Sequence, residues 1–282
     1  MIEQLLPDEL VLAVFARLPI AALGAVQCVC RQWRGLGRAP SLWRAACAEA
    51  FRQSDPALNE RLLRQAYRGC WRTMFLERCH LRFDGVYVSR NTYVRQGVAE
   101  FRKSRSVYLV CYYRYFRFLS DGTFAYRTSP ETIAKVARSL QAPPPPRRQL
   151  PAAPRRQQQG VPPAVQHGRY RLDHDRLHTA MLYENSTSTE VRCRMRLRST
   201  VPGANNRLDV ESIISYDRED GTAVPLASAA AGEDELGNNE LEGAERRQYT
   251  RGLNAFVFVP WEHSASSVLN LPVSQMDVYI PG

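Results

Sequence analysis

Apolar residues in the first 50 positions recur at the spacing of one helix face. The stripe consists of residues three or four apart: Leu6, Leu10, Val11, Val14, Phe15 and Leu18. Pro19 ends this run, and Gly35 and Gly37 interrupt a later one, so we predict several short helices. Because short helices bury little surface by themselves, we expect this region to complete its core against a partner or a second domain.

Helical spacing returns between residues 57 and 79, and the pattern then changes to short runs of aromatic and β-branched residues. These runs predict eight strands: 83–89, 106–119, 123–127, 169–172, 177–183, 191–198, 208–216 and 253–259. An Asp121-Gly122 pair predicts a tight turn between the second and third strands. Consecutive strands without long helices between them indicate an antiparallel barrel or sandwich, a lipocalin-like barrel being one form, and hence an α+β chain.

Two of the predicted strands alternate between apolar and polar residues. Leu208, Val210, Ser212, Ile214 and Tyr216 are predicted to share one face of their strand. In the strand 191–198, one face carries four arginines: Arg192, Arg194, Arg196 and Arg198. Alternate strand residues lie about 6.7 Å apart, so the arginines would form a positive row of roughly 20 Å.

This row of arginines has two interpretations. It is either a solvated outer face, neutralised by the acid-rich residues 217–245, or a candidate substrate-binding site for acidic or phosphorylated segments. The second interpretation rests on the guanidinium fork, which suits phosphate.

Composition and charge narrow the class of protein. No stretch approaches the ~20 apolar residues of a membrane helix, and no secretory signal is visible, so we predict no membrane association. Seven cysteines, an odd number, fit a reducing cytoplasmic or nuclear compartment.

Residues 1–200 carry 33 Arg and Lys against 15 Asp and Glu, and residues 201–282 carry 5 against 13. An arginine-rich nucleic-acid protein is one alternative, but no stacking platform accompanies the arginine row, so we do not predict nucleic-acid binding.

Two segments interrupt the strand pattern. Residues 141–164 are rich in Pro, Gln and Arg, and residues 221–245 are rich in Ala, Gly and acids. Both compositions are typical of mobile insertions.

Candidate catalytic and metal-binding motifs are weak. Cys28 and Cys30 lack further ligands at zinc spacing, and the four-residue spacing of His174 and His178 does not bring side chains together on a strand. We predict no catalytic residue, no metal and no cofactor.

The first 50 residues resemble an F-box. The resemblance rests on an ordered series: residues 6–10 (LPDEL), Val14, Phe15, Leu18, Pro19, Leu23, residues 26–31 (VQCVCR), Trp33, Leu42 and Trp43. It implies binding to a Skp-type adaptor and, through that adaptor, to a cullin and a RING protein. The residues that we assign to adaptor binding are Leu6, Pro7, Leu10, Phe15, Leu18, Pro19, Leu23 and Val26, on or behind the contact surface.

A second segment resembles the F-box only protein 9 family. It comprises residues 71–78 (WRTMFLER), 82–89 (RFDGVYVS), 92–97 (TYVRQG) and 112–122 (YYRYFRFLSDG). Animal members carry helical repeats before the F-box, which are not expected in this chain. The resemblance implies a non-enzymatic substrate adaptor of an SCF-type ubiquitin ligase, with an unknown protein substrate. The alternative is a barrel protein that binds a small apolar ligand, with ligase recruitment secondary.

We therefore predict three domains: an F-box at 1–51, a helical bridge at 52–80 and an antiparallel β substrate-binding domain at 81–282. The ligand-binding alternative would require an open barrel interior, since a barrel of about eight strands holds either side chains or one small ligand.

Overall fold

The structure, a computed structural model, describes residues 6–96, 107–142, 165–183, 186–228 and 253–272. Helices occupy most of its first 77 residues: α1 (Asp8–Phe15), α2 (Ala22–Val26), α3 (Arg31–Leu36), α4 (Pro40–Ala50), α5 (Pro56–Gln65) and α6 (Trp71–Glu77). None of the described helices is long and apolar enough to cross a membrane.

The helices share two small apolar cores. The first consists of Val11, Phe15, Leu23, Leu42 and Trp43. The second joins α4 to the next two helices through Cys47, Phe51, Leu63 and Met74. Because α4 contributes to both cores, the helices on either side of the predicted boundary at residues 51 and 52 pack as one unit.

Nine strands follow: β1 (Gly85–Gln96), β2 (Val107–Phe118), β3 (Thr123–Ser129), β4 (Gln166–Asp173), β5 (Arg176–Leu182), β6 (Thr189–Arg198), β7 (Arg207–Asp217), β8 (Ala223–Ser228) and β9 (Phe256–Pro260). Each of the eight predicted strands is present. Strand β8 lies inside the segment 221–245 that we expected to be a mobile insertion, so that expectation is wrong for residues 223–228. Residues 229–245 lie outside the described part of the chain, as do residues 143–164 of the other expected insertion.

The strands form an antiparallel eight-stranded barrel. Each strand from β1 to β6 pairs with the next, and β9 lies between β1 and β7. Pairing of β6 with β7 closes the ring, and β8 adds a further strand against β7. The predicted α+β class is therefore confirmed, and the choice between barrel and sandwich is settled in favour of the barrel.

The predicted turn at Asp121 and Gly122 has the geometry that its residues favour. Gly122 has φ of +87°, a conformation that costs glycine little. The Asp121 carboxylate accepts hydrogen bonds from the backbone N–H of Thr123 at 2.9 Å and from its hydroxyl at 2.6 Å.

A β-bulge in β7 overturns one predicted face. Arg194 pairs with Ser212 but Met195 pairs with Val210, so Glu211 is an extra residue in the ladder. An extra residue reverses the side on which the following residues lie. Leu208 and Val210 therefore face the interior, whereas Ser212, Ile214 and Tyr216 follow the bulge on the opposite side from that predicted.

Aromatic and aliphatic side chains fill the barrel. Its core cluster includes Tyr87, Phe116, Phe118, Phe124, Phe256 and Phe258 together with aliphatic residues of β5, β6 and β7. Phe118 is fully buried, with its ring centroid 5.7 Å from that of Tyr87 and 5.1 Å from that of Tyr170. Close ring contacts of this kind leave the described interior packed with side chains.

One helix of the barrel region was not predicted. Helix α7 (Ile133–Gln141) covers the outer face of β1, β2 and β3 with Ile133, Val136 and Leu140. Arg117 secures its end by donating a hydrogen bond of 2.6 Å to the Leu140 carbonyl. The three-, four- and seven-residue spacing of these apolar positions is a helical signal that the proline-rich sequence just beyond obscured.

Candidate functional site

The apolar positions of α1 divide between two faces. Val11 and Phe15 are buried in the core between the helices. Leu6, Leu10 and Val14 point outward, with exposed fractions of 39%, 53% and 55%. Leu10 and Val14 lie four residues apart and therefore on one side of α1, and Leu6 lies two residues before the helix begins. We call these three residues the α1 outer row.

The buried face of α1 holds the row in place. The Phe15 and Trp33 rings meet edge to face with centroids 5.4 Å apart. Trp43 is buried beside them, and its indole N–H donates a hydrogen bond of 2.9 Å to the Gly37 carbonyl. At the start of α1, the amide of Gln32 donates a hydrogen bond of 2.6 Å to Asp8. These contacts fix the position of α1 and therefore of the outer row.

Two of the eight residues assigned to adaptor binding are buried. Phe15 and Leu23 are only 3% and 2% exposed and belong to the helical core, so they lie behind the surface rather than on it. The remaining six are exposed or half-buried: Leu6, Pro7, Leu10, Leu18, Pro19 and Val26. Val14 and Val29, which is 60% exposed, were absent from the predicted set. The four-residue spacing of Val14 from Leu10 could have placed it in the predicted set, whereas no spacing pattern pointed to Val29.

A cleft of about 1100 Å³ opens between these helices and the start of the barrel. Leu12, Leu18 and Phe75 line its helical side, and Leu81 lies on the other. The ion pair between Arg82 and Asp84, 2.6 Å long, stands at the barrel side. The cleft extends the apolar surface available beside α1.

The His80 side chain contacts both the helical region and the barrel region. Its ring lies 4.4 Å from that of Phe75, and its Nδ1 is 2.9 Å from the Arg78 carbonyl oxygen and 3.3 Å from the Asn205 amide nitrogen. Burial lowers the pKa of His80 below its ordinary value of 6.5, and the nearby Arg82 lowers it further. The junction therefore favours a neutral imidazole.

The four predicted arginines of β6 do not form a uniformly positive row. Arg192 pairs with Glu190 at 2.9 Å, and Arg198 with Asp209 at 3.7 Å. Arg196 lies 3.4 Å from Asp175 and 3.3 Å from Glu211. Arg194 alone among the four makes no ion pair with a described residue. Carboxylates from neighbouring strands thus neutralise most of the expected charge.

Cys30, one of the two neighbouring cysteines, has a structural role. The Cys30 sulfur accepts a hydrogen bond of 3.4 Å from the Trp33 backbone N–H and so caps α3. Cys28 is exposed. Across the described ranges, no group of three or more His, Cys, Asp and Glu side chains is arranged to hold a metal ion.

Two profiles of known families match the sequence. The profile described as F-box only protein C-terminal region matches residues 60–282, and the F-box-like profile matches residues 4–49. The chain belongs to the F-box only proteins.

Curated F-box proteins of two yeasts match parts of the chain. F-box protein pof7 of Schizosaccharomyces pombe is 30% identical over 137 residues, which are 45% of this chain and 38% of pof7. F-box protein HRT3 of Saccharomyces cerevisiae is 34% identical over 87 residues, which are 30% of this chain and 25% of HRT3. The chain thus matches well under half the length of either relative.

The F-box-like match includes the α1 outer row. It runs from before α1 to within α4, so Leu10 and Val14 lie on the first helix of the F-box and Leu6 lies just before that helix. The C-terminal match begins within α5 and covers the whole barrel. The outer row and Val29 are large apolar residues that the F-box leaves exposed.

Proposed function

We propose that this F-box only protein is a substrate-recognition adaptor of an SCF-type cullin–RING ubiquitin ligase. Its F-box binds the Skp-type adaptor, which connects it to the cullin and the RING protein. The barrel presents a protein substrate for ubiquitination and proteasomal degradation. The chain itself is a non-catalytic subunit without a cofactor.

The α1 outer row is the observation that carries this proposal. A large apolar side chain contributes about 1.5–3 kcal/mol when it moves from water into a partner surface. Because only about half of each of these three side chains is still exposed, together they offer roughly 2–4 kcal/mol before the cost of association. Within the chain these residues bury only part of their surface, because Leu10 and Val14 are more than half exposed. Adaptor binding gives them a burial that the fold does not.

The filled barrel favours protein presentation over the alternative of a small apolar ligand. Phe116, Phe118 and Phe124 are buried at the centre of the interior cluster. A ligand there would have to displace packed aromatic rings, at a cost of several kcal/mol. A protein partner instead uses the outer surface, which requires no repacking.

The thiols support the proposed compartment. All seven cysteines are free, as expected in a reducing environment. We propose the cytoplasm, the nucleus or both.

Adaptor binding is tested by Leu10→Asp, with Leu58→Asp as the matched control. Both leucines are exposed, but Leu58 is 40% exposed on α5, away from the outer row. We expect Leu10→Asp to abolish capture of a purified Skp-type adaptor and Leu58→Asp to preserve it, because only the first places a charge in the contact. Unchanged capture by Leu10→Asp, with normal near-ultraviolet circular dichroism, would refute the docking surface.

Substrate presentation is tested by affinity purification with the proteasome inhibited. The wild-type chain and Leu10→Asp should capture the same substrate through the barrel. Only wild type should promote its ubiquitination in a reconstituted ligase. Equal ubiquitination by both proteins would contradict the adaptor role.

A further inference from the structure

The outer face of β4, β5 and β6 carries a group of basic side chains without acidic partners. Arg169 and Arg171 lie on β4, His178 on β5 and Arg194 on β6, and all four are exposed. Within the residues that the structure describes, none of these side chains makes an ion pair or a hydrogen bond. We call these residues the basic patch.

Strand register brings the patch together. Arg171 lies opposite His178, which lies opposite Arg194. Neighbouring strands are about 4.8 Å apart, so these three residues form a row of about 10 Å across the sheet. Arg169 is on the same face as Arg171, about 6.7 Å along the strand. Separation in the sequence hid this group, since its members come from three strands.

The patch surrounds a depression. Its side chains line a concavity of about 460 Å³ on the outside of the barrel. Ala180 lies opposite Arg169 on one side and Arg192 on the other. This small side chain leaves space between longer ones, while Ser212 continues the cross-strand row on β7. A compact ligand can therefore approach several donors at once.

Carboxylates frame the patch at both ends along the strands. Glu190 and its partner Arg192 lie at one end. Asp175 and Glu211 hold Arg196 at the other. Glu190 also pairs with Arg218, so the first end carries no excess negative charge. At the second end two carboxylates face one arginine, so a long acidic peptide that extends to Asp175 and Glu211 would be repelled there. The arrangement suits one compact anion rather than a run of acids.

We propose that the basic patch binds a single phosphate group on a side chain of the protein substrate. Phosphate oxygens accept paired hydrogen bonds from guanidinium forks, and Arg171 and Arg194 supply such forks from opposite sides. Arg169 adds a positive charge from its position two residues before Arg171 on β4. Ser212, opposite Arg194 on β7, offers a hydroxyl at the end of the row. This inference rests on the proposed function, because it states how the barrel selects its substrate.

The proposal is tested with a labelled peptide, Gly-Ala-phosphoserine-Ala-Gly, and the purified full chain. The double variant Arg171→Gln with Arg194→Gln should weaken binding at least tenfold. The double variant Arg61→Gln with Arg138→Gln removes the same charge from exposed positions on α5 and α7. Its affinity should stay within twofold of wild type.

Three outcomes would overturn the phosphate site. These are equal binding of the unphosphorylated peptide, equal binding of a Gly-Glu-Glu-Glu-Gly peptide, and equal weakening by both double variants. A single-stranded RNA oligonucleotide that binds more tightly than the phosphopeptide, and loses affinity in the patch variant, would also overturn it and assign the patch to nucleic acid.

Adaptor capture by the same proteins separates this inference from the proposed function. Both double variants should capture the Skp-type adaptor normally, because neither changes the α1 outer row. If wild type failed to capture the adaptor but bound the phosphopeptide, the result would refute the proposed ligase role and still support the phosphate site.

Discussion

The helical region and the barrel use their apolar residues in opposite ways. The barrel turns its large aromatic rings inward, with Phe118 and Phe124 fully buried. The helices divide their apolar residues between two small cores and a surface that includes Leu10 and Val14. Helices of five to eleven residues cannot enclose all of their apolar surface, whereas a closed sheet can.

This difference indicates that the two regions have different needs for partners. The barrel encloses its aromatic core with its own strands, and the apolar side chains that it exposes, such as Leu182, Val224 and Val257, lie on different strands. We expect the helices to bury more of their exposed apolar surface, including Leu10 and Val14, when a partner binds. We therefore expect a Skp-type adaptor to stabilise the helical region through mass action, without a comparable effect on the barrel.

Phe118→Ala should have the largest effect and should be confined to the barrel. The ring is fully buried beside Phe116, Phe124 and Tyr170. Its removal leaves a cavity and should lower the free energy of unfolding by about 3–5 kcal/mol. Denaturant unfolding followed by near-ultraviolet circular dichroism measures the loss. Adaptor capture should persist, and its disappearance would show that the regions are not independent.

Phe15→Ala and Leu10→Ala should separate the two faces of α1. Phe15 is in the helical core, so its truncation should cost about 3 kcal/mol of helical stability, partly restored by adaptor. Leu10 is 53% exposed, so its truncation should change stability by less than about 0.5 kcal/mol.

Leu10→Ala should nevertheless weaken adaptor binding by roughly tenfold, corresponding to about 1.4 kcal/mol of lost burial. Thermal unfolding with and without adaptor, together with calorimetric titration, measures both quantities. If Leu10→Ala destabilised the free chain as much as Phe15→Ala, the division of α1 into two faces would be wrong.

Sequence periodicity was sufficient for the elements but not for their mutual arrangement. The spacing from Leu6 to Leu18 predicts α1, and alternation from Val191 to Arg198 predicts β6. Neither pattern tells which half of an apolar stripe meets its own core, because that depends on how α2 and α4 pack. Phe15 and Leu10 therefore looked alike in the sequence.

The barrel surface illustrates the same limit. Alternation within β6 placed four arginines on one face, but the neutralising Asp175 and Glu211 come from outside that strand. The bulge at Glu211 depends on pairing between β6 and β7 and leaves no mark in the alternation of β7 alone. Local patterns predict strands, whereas strand neighbours determine which charges remain unpaired.

Acidification should weaken the junction between the two regions through His80. Burial lowers the pKa of His80 below 6.5 in the folded chain. The hydrogen bond to the Arg78 carbonyl and the Asp84 charge oppose this shift, whereas the charges of Arg82 and Arg78 add to it. As pH falls below about 6.5, the unfolded chain takes up a proton that the folded chain resists. The histidine-dependent stability is thus present above that pH and lost progressively below it.

Unfolding midpoints between pH 7.5 and 5.5 measure this effect, with His80→Gln as the comparison. The variant should be less stable at pH 7.5, because it loses ring contacts with Phe75 and Phe51. Its stability should also decline less steeply on acidification. Parallel pH profiles for the two proteins would rule out His80 as the responsible group.

The smallest effects should come from exposed ion pairs, and they should be alike in both regions. In the barrel, Arg198 lies 3.7 Å from Asp209, with 55% and 37% of the side chains exposed. In the helices, Arg64 lies 3.6 Å from Glu60, with 78% and 62% exposed. Water and salt screen such pairs, so Arg198→Gln and Arg64→Gln should each change the free energy of unfolding by less than about 1 kcal/mol. Denaturant unfolding at two salt concentrations about tenfold apart should show the differences shrinking at the higher concentration. A loss above about 2 kcal/mol in either variant would mean that ion pairing, rather than apolar burial, distinguishes the barrel from the helices.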